Sequence, residues 1–302
     1  MIKDRLFLLA ATVFWGCAFV AQRVSTDTMG AFAFNGLRFW LGALAVLPVA
    51  LWIRRQTKSD EAPDRPAWLS LPLACAILGF VLFAGSSLQQ LGLFYTTAGK
   101  AGFITALYIV AVPLVGILFH NPLRLTHITG CLTALLGVWL LAWHGSGELL
   151  RTGDFIILVS VVFWTLHILV IDRFVRYFSG VYLAAGQFFF CGLYSFLSVP
   201  VAGETLTWSA IAASAIPILY CGIFSSGVGY TFQILGQRKV PPTEASFLLS
   251  FEMIFSALAG YAFLGETMTP RELLGCVLMT IGIFSAQVPS RIIFTLQKKR
   301  SA

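Results

Sequence analysis

The sequence predicts an all-α integral membrane protein of ten transmembrane helices, built as two inverted five-helix repeats with both termini in the cytoplasm. Three observations predict this fold. The composition is too apolar for a water-exposed surface, the apolar residues gather into segments long enough to cross a bilayer, and residue patterns of the first half recur in the second.

The composition excludes a soluble globular protein. Of the 302 residues, 58% are hydrophobic and only 11% are charged, and the mean hydropathy is +0.85. A soluble domain carries about 25% charged residues, so this chain lacks the polar side chains that a surface in water requires. A cytosolic enzyme is therefore excluded.

Ten apolar segments lie between clusters of charged residues, glycine and proline. A helix needs about 20 apolar residues to cross a hydrocarbon core roughly 30 Å thick. The predicted spans are residues 6 to 24, 32 to 53, 68 to 93, 98 to 119, 126 to 144, 154 to 172, 181 to 201, 208 to 235, 243 to 264 and 271 to 289. The residues left over suffice for connections and short tails, and no soluble domain is expected.

The basic residues indicate the orientation, because cytoplasmic loops are enriched in Lys and Arg. With the N-terminus inside, fifteen of the 20 Lys and Arg residues lie in cytoplasmic segments and four lie outside, while Arg38 lies within the second span. An even number of spans then places the C-terminus inside, and we expect a multi-pass protein of the cytoplasmic (inner) membrane.

The net charge of +7 is explained by attraction to anionic lipid headgroups. No nucleic-acid partner is expected, because the cations form no stripe with interleaved aromatic residues. The basic tail from Ser290 to Arg300 is expected either to lie in the membrane interface or to be solvated.

Self-similarity divides the chain into two repeats, residues 1–147 and 148–302. Residues 85 to 92 and 229 to 236 share the pattern Gly-x-x-x-Gln-x-Leu-Gly at an offset of 144, and upstream Phe14-Trp15 matches Phe163-Trp164. Five helices per repeat is an odd number, so the second copy is inverted in the membrane. Inverted repeats are typical of secondary transporters, whose substrate site lies near the midplane between the repeats. Channels are also built from inverted repeats.

Several motifs resemble those of the EamA-type carriers in the drug/metabolite transporter superfamily. The motifs are Phe14-Trp15-Gly16 in the first span, Leu249-Ser250-Phe251-Glu252 in the ninth, and Leu264-Gly265-Glu266 after it. Arg38 lies where the second helix of the family often carries Arg. Two positions depart from the pattern, since Met253 replaces the family's Pro and Asn121 replaces the acidic residue of the first repeat. The resemblance implies ten helices and the export or exchange of small polar or amphipathic metabolites, often amino acids.

Two charged residues within the spans are candidate functional residues, because a charge near the bilayer centre costs about 2.5 to 3.5 kcal/mol. Glu252 is expected either to couple transport to protons or bind a substrate amine, or to be a protonated packing residue between the repeats. Arg38 is expected to pair with an internal carboxylate such as Glu252, to bind a substrate carboxylate, or to snorkel to the outer interface.

Polar and aromatic residues supply further candidates. Gln89 and Gln233 occupy equivalent repeat positions and either line one cavity or bond between helices. His167 is either a proton relay or a neutral, hydrogen-bonded side chain. The candidates for an apolar or cation-π wall around an amine are Trp15, Tyr108, Trp164 and Tyr230, with simple packing as the alternative for each.

Lys100 and Glu244 open the fourth and ninth spans at equivalent repeat positions. They are either gate residues or, in the case of Glu244, a carboxylate that complements the helix dipole.

The function expected is therefore secondary active transport, by alternating access, of a small polar or amphipathic metabolite. An amino acid or related amine, exported or exchanged, is favoured, and protons are a candidate coupling ion. The alternatives are a passive channel, disfavoured by the few polar residues along the spans, and a membrane-embedded enzyme, disfavoured because His120 and His127 flank a loop with no carboxylate partner. No cofactor or metal is expected, and the protein is expected to be a monomer or homodimer.

Overall fold

The computed structural model describes residues 2–56, 65–142, 152–288 and 292–294. Its helices follow the predicted spans. In the first half they are α1 (Ile2–Ser25), α2 (Ala31–Gln56), α3 (Leu71–Leu93), α4 (Ala98–Thr105), α5 (Tyr108–Gly116) with a 3-10 turn at Ile117–Phe119, and α6 (Leu125–Ala142). In the second half they are α7 (Thr152–Phe174), α8 (Gly180–Val201), α9 (Trp208–Ala213), α10 (Ala215–Leu219), a π-helix at Tyr220–Tyr230, α11 (Thr231–Gln237), α12 (Pro242–Leu249), α13 (Glu252–Leu264) and α14 (Pro270–Gln287).

Eight helical stretches among the described residues are long and apolar enough to cross a membrane. Two further helices, α6 and α14, have 18 residues each and lie where the fifth and tenth spans are predicted. The structure therefore agrees with an all-α membrane protein, while the ten-helix count and the N-in orientation stay predictions.

Some predictions fall outside the described residues. They concern the repeat boundary between residues 147 and 148 and the basic residues Lys58, Arg151, Arg291 and Lys298 to Arg300. Within the predicted tail, Ile292–Phe294 forms a short strand, β2, antiparallel to β1 at Leu123–Arg124, with Leu123 opposite Phe294.

The helix boundaries recur along the chain as the sequence pattern does. The third span, Leu71–Leu93, and the eighth, Ala215–Gln237, differ by 144 residues at both ends. The same shift relates α4 to α12, and a shift of 145 relates α6 to α14. Residues 120 and 265 follow the fourth and ninth spans, and both adopt a left-handed backbone, with φ of 64° at His120 and 65° at Gly265.

The eighth span begins later than predicted. The sequence indicates one segment from residue 208, but α9 ends at Ala213 and the continuous helix begins at Ala215. Pro217 explains the break, because it has no N–H to donate to the carbonyl of Ala213 and its ring opposes a continuous helix at that point.

The fourth and ninth spans are interrupted near their middles. Between α4 and α5, at residues 106 and 107, and between α12 and α13, at residues 250 and 251, the backbone keeps right-handed helical dihedrals, but the regular hydrogen bonds between residues four apart give way to bonds between residues three apart. The second interruption occurs although Met253 stands in place of the family's proline. Interrupted helices at membrane depth are tolerated where the protein buries them or they line a cavity.

Two carboxylates from loops cap the beginnings of helices in the opposite half of the chain. Glu266 accepts hydrogen bonds from the backbone N–H groups of Ala98 and Gly99, both at 2.9 Å. Glu204 accepts from Phe32 at 3.1 Å and Ala33 at 2.8 Å. These bonds satisfy donors that a helix start leaves free, and they give the Leu-Gly-Glu motif a structural role.

Helices α6 and α14 meet backbone to backbone at glycines. A Cβ on Gly282 would lie 2.7 Å from the Gly130 carbonyl oxygen, and a Cβ on Gly137 would lie 2.6 Å from the Gly275 carbonyl oxygen. Small residues allow such close approach between helices in a membrane, so these glycines fix how the fifth and tenth predicted spans pack.

Replacing Gly282 by Val is expected to force α6 and α14 apart and to destabilise the protein by about 1 to 3 kcal/mol, as overpacking does elsewhere. Thermal unfolding of the purified protein in detergent, followed by Trp fluorescence, measures the loss. The control is Ile281→Val, because Ile281 is 51% exposed and lies outside the contact. Equal melting temperatures for the two variants would contradict the packing described.

Candidate functional site

A central cavity with about 450 Å³ of atom-free space brings together helices of both halves. All nine residues singled out from the sequence line it: Trp15, Arg38, Gln89, Tyr108, Trp164, His167, Tyr230, Gln233 and Glu252. The other lining residues are Ala18, Phe19, Gln22, Thr105, Ile168, Ser225 and Leu249. A substrate-binding role for these residues stays a prediction.

Glu252 begins α13, directly after the interruption of the ninth span. It is 4% exposed, and the Tyr108 hydroxyl donates a hydrogen bond to its Oε1 at 2.8 Å. Tyr108 begins α5, so the two residues occupy equivalent positions after the two interruptions. Among the described residues Glu252 forms no ion pair. Its carboxylate is therefore a buried acceptor with capacity left for a proton or an ammonium group.

Arg38 is held inside the bundle by its own helix. Its Nε donates to Asn35 Oδ1 at 2.8 Å, and its guanidinium lies over the Phe39 ring at 4.5 Å from the centroid. The residue is 1% exposed, and Nη2 is buried with no hydrogen-bond partner in the described part of the chain.

Two of the interpretations offered for Arg38 are wrong. Pairing with Glu252 does not occur, because Asn35 and Phe39 hold Arg38 while Glu252 accepts from Tyr108. Snorkelling does not occur either, because the side chain is buried beside the cavity. Binding of a substrate anion is the interpretation left, and the unpartnered Nη2 is a donor suited to it.

The two glutamines at equivalent repeat positions differ in their surroundings. Gln89 is tied to the fourth span, because its Nε2 donates to Thr105 Oγ1 at 3.0 Å. Gln233 Oε1 is buried with no partner among the described residues. Gln89 therefore matches the interhelical alternative, whereas Gln233 leaves an acceptor free at the cavity.

Tyr230 stands at the centre of the aromatic wall. Its ring lies 4.7 Å from that of Trp15 and 6.3 Å from that of Trp164, the latter nearly parallel at 17°. Trp15 Nε1 donates to the Ser225 carbonyl within the π-helix at 3.1 Å, whereas Trp164 Nε1 is buried without a partner among the described residues. The wall thus combines apolar faces with one free donor.

His167 matches the hydrogen-bonded alternative. Its Nε2 lies 3.0 Å from Gln187 Oε1, and its ring meets the Tyr230 ring edge-on at 5.8 Å. The partner is an amide and not a carboxylate, so this contact does not by itself make a proton relay.

Several polar residues at the site were not expected from the sequence, among them Gln22 and Gln187. Gln22 lines the cavity with an unpartnered Oε1, and Gln187 bonds to His167. A helical count from Trp15 places Gln22 on the same face two turns later, which is the signal that could have identified it. Gln187 lies 149 residues after Arg38, the spacing that relates Trp15 to Trp164, so the repeat could have identified it.

The site offers organic recognition chemistry. Among the described residues no three or more His, Cys, Asp or Glu side chains are grouped to hold a metal ion. What the cavity presents is one carboxylate, one guanidinium, amides and aromatic rings.

Comparisons with known proteins agree with the fold. A solved crystal structure of a protein superimposes with a TM-score of 0.73 at 19% identity, over 94% of this chain and 96% of that one. The chain is also 28% identical over 280 residues to a protein from Archaeoglobus fulgidus called an uncharacterized transporter, covering 92% of this chain and 83% of that protein. It is 24% identical to the uncharacterized transporter YyaM of Bacillus subtilis, covering 98% and 97%.

A family model agrees with these similarities. The model of the EamA-like transporter family matches residues 4–143 and 151–286, which is most of the chain and confirms the resemblance of its motifs. The chain belongs to the EamA-like transporter family.

Proposed function

We propose that the protein is a secondary active transporter of the cytoplasmic membrane that carries a small zwitterionic solute, an amino acid or a related amine, by alternating access. The observation that carries the proposal is the placing of an unpartnered guanidinium donor, Arg38 Nη2, and a buried carboxylate, Glu252, on one cavity. A zwitterion satisfies both groups at once.

The other free groups of the cavity fit the same class of solute. Gln22 Oε1 and Gln233 Oε1 accept hydrogen bonds, as an ammonium group requires, and Trp164 Nε1 donates one. A buried polar group left unpaired costs about 1 to 3 kcal/mol, so a solute that pairs with several of these groups gains affinity from each. The rings of Trp15, Trp164 and Tyr230 provide apolar and cation-π contacts for an amine.

The two interrupted helices support alternating access. In transporters with inverted repeats, discontinuous helices meet at the midplane and the two repeats move against each other around the site. Here the interruptions fall at equivalent positions and place Tyr108 and Glu252 against each other beside the cavity. The helix boundaries that recur at offsets of 144 and 145 residues also support an arrangement of two five-helix repeats.

Glu252 is the proposed coupling residue. Its carboxylate either takes up a proton or binds the substrate ammonium group. Because a bound proton and a bound ammonium group exclude each other, the site can exchange one for the other. Transport is favoured over enzymatic catalysis because the relatives described above are named transporters.

Glu252→Gln is expected to abolish proton-linked transport while the protein still folds and inserts, because an amide cannot take up the proton. Uptake into proteoliposomes with and without a pH gradient measures this. Asp27→Asn is the matched control, since the side chain of Asp27 is 70% exposed. Unchanged pH dependence in Glu252→Gln would make Glu252 a packing residue.

Arg38→Gln is expected to remove the recognition of carboxylates selectively. Cells that overexpress the protein should gain resistance to toxic amino acids and to toxic amines, and the variant should lose only the resistance to the amino acids. A lost contact to an ionic group costs about 1.5 to 3 kcal/mol, which is roughly a 10- to 150-fold loss of affinity. Loss of resistance to both classes, or to neither, would contradict this role.

Gln233→Ala is expected to weaken substrate binding more than Gln89→Ala, although the two residues are equivalent in the repeats. The reason is that the Gln233 amide oxygen is free, whereas Gln89 is bonded to Thr105. The Michaelis constant for uptake into proteoliposomes measures the difference. A larger effect at Gln89 would show that the free oxygen does not face the substrate.

A further inference from the structure

Charged side chains bridge the two halves of the chain at both ends of the bundle. At one end, the Arg5 end, Arg5 of α1 pairs with Glu244 of α12, with 2.5 Å between Nε and Oε1. At the opposite end, the Lys100 end, Lys100 of α4 and Asp154 of α7 line one cleft with about 580 Å³ of atom-free space. At each end one residue belongs to the first half of the chain and the other to the second.

The repeats relate these two pairs to each other with every sign reversed. Arg5 is followed 149 residues later by Asp154, and Lys100 is followed 144 residues later by Glu244. These are the offsets that relate Trp15 to Trp164 and Gln89 to Gln233. Reversing one sign alone would have produced a pair of like charges, whereas reversing both keeps the attraction. The two halves therefore share a pair of opposite charges at equivalent positions, although the individual residues differ.

The preference for cations in the cytoplasm does not account for the reversal. In the predicted topology Lys100 lies outside and Glu244 lies inside, which is contrary to that preference. A role in pairing explains both residues.

The Lys100 end holds the two charges of a second bridge. Thr96 Oγ1 donates to Asp154 Oδ1 at 2.7 Å, and Lys100, in the first turn of α4, lines the same cleft. Lys100 Nζ also lies 3.7 Å from Glu272 Oε1 at the start of α14.

We propose that Arg5–Glu244 and Lys100–Asp154 are two reciprocal gates of the transport cycle. The inference rests on the alternating access proposed above. The Arg5–Glu244 bridge closes the cavity at the Arg5 end in the present conformation, in which Lys100 and Asp154 line the cleft of the Lys100 end. The Lys100–Asp154 bridge closes that cleft when the Arg5 end opens. Each bridge stabilises one of the two conformations. The repeat places both bridges at equivalent positions with their charges reversed.

The matched controls are two ion pairs that follow the same sign reversal but lie along one stretch of chain. Arg23 pairs with Asp27 at 3.1 Å and Asp172 pairs with Arg176 at 2.7 Å, each between residues four apart. Neither pair bridges the halves, but Arg23 lines the cleft of the Lys100 end and Arg176 does not. Breaking the Asp172–Arg176 pair is therefore expected to leave the balance between the two conformations unchanged.

Hydrogen–deuterium exchange of the full chain in lipid nanodiscs tests the proposal without a substrate. Arg5→Glu is expected to speed exchange in residues 2–8 and 242–248 and to slow it in residues 96–103 and 152–158. An exposed ion pair of this kind shifts an equilibrium by about two- to fivefold, and a change of that size is expected in both directions. Lys100→Gln is expected to do the reverse.

Further variants separate gating from local loosening. Arg5→Glu combined with Glu244→Arg is expected to restore both exchange rates. Arg176→Glu is expected to leave exchange at the Lys100 end unchanged. Glu272→Gln shows whether Lys100 acts through Glu272. Faster exchange at the Arg5 end alone, with no slowing at the Lys100 end, would overturn the proposal. Reciprocal exchange in a protein that moves no amino acid or amine would refute the proposed function and leave the gates standing.

Discussion

The structure depends on one constraint, the need of every backbone N–H and C=O group in hydrocarbon for a hydrogen-bond partner. This need explains why the described chain is almost wholly helical, and why the helices lose their regular bonding only in particular places. The fourth and ninth spans are interrupted where they face each other beside the cavity, and Glu204 and Glu266 supply the acceptors that two helix starts lack. The same constraint makes charged side chains within the spans rare, and Arg38 and Glu252 both line the cavity.

The two halves share a backbone plan but differ in the chemistry that they bring to the site. Tyr108 corresponds to Glu252, and Arg38 corresponds to Gln187. The cavity therefore has one carboxyl group and one guanidinium group in an enclosure of aromatic rings. A solute with an ammonium group at one end and a carboxylate at the other binds such an enclosure in one orientation only. The difference between the two halves thus selects the orientation of the solute.

Much of the fold could be predicted because the bilayer thickness fixes the length of a span, and apolar runs show that length directly. The interruptions at residues 106 and 250 could not be predicted, because no proline or glycine stands at either position. The nine candidates of the site were found because polar and aromatic residues within spans are few. Gln22 is hard to predict because it lies near the end of its span. The partner of Arg38 is Asn35, one turn away on the same helix, and a neutral local partner of this kind carries no charge signal in the sequence.

The hydrogen bond between Tyr108 and Glu252 joins two residues that are 144 positions apart, the offset at which the sequence pattern recurs. A dimer of two identical five-helix units would oppose glutamate to glutamate or tyrosine to tyrosine at such a point, with two acceptors or two phenols in contact. Two halves whose sequences differ permit a donor on one side and an acceptor on the other. The duplication of the sequence is thus what made an unlike pair at the centre of the protein chemically accessible.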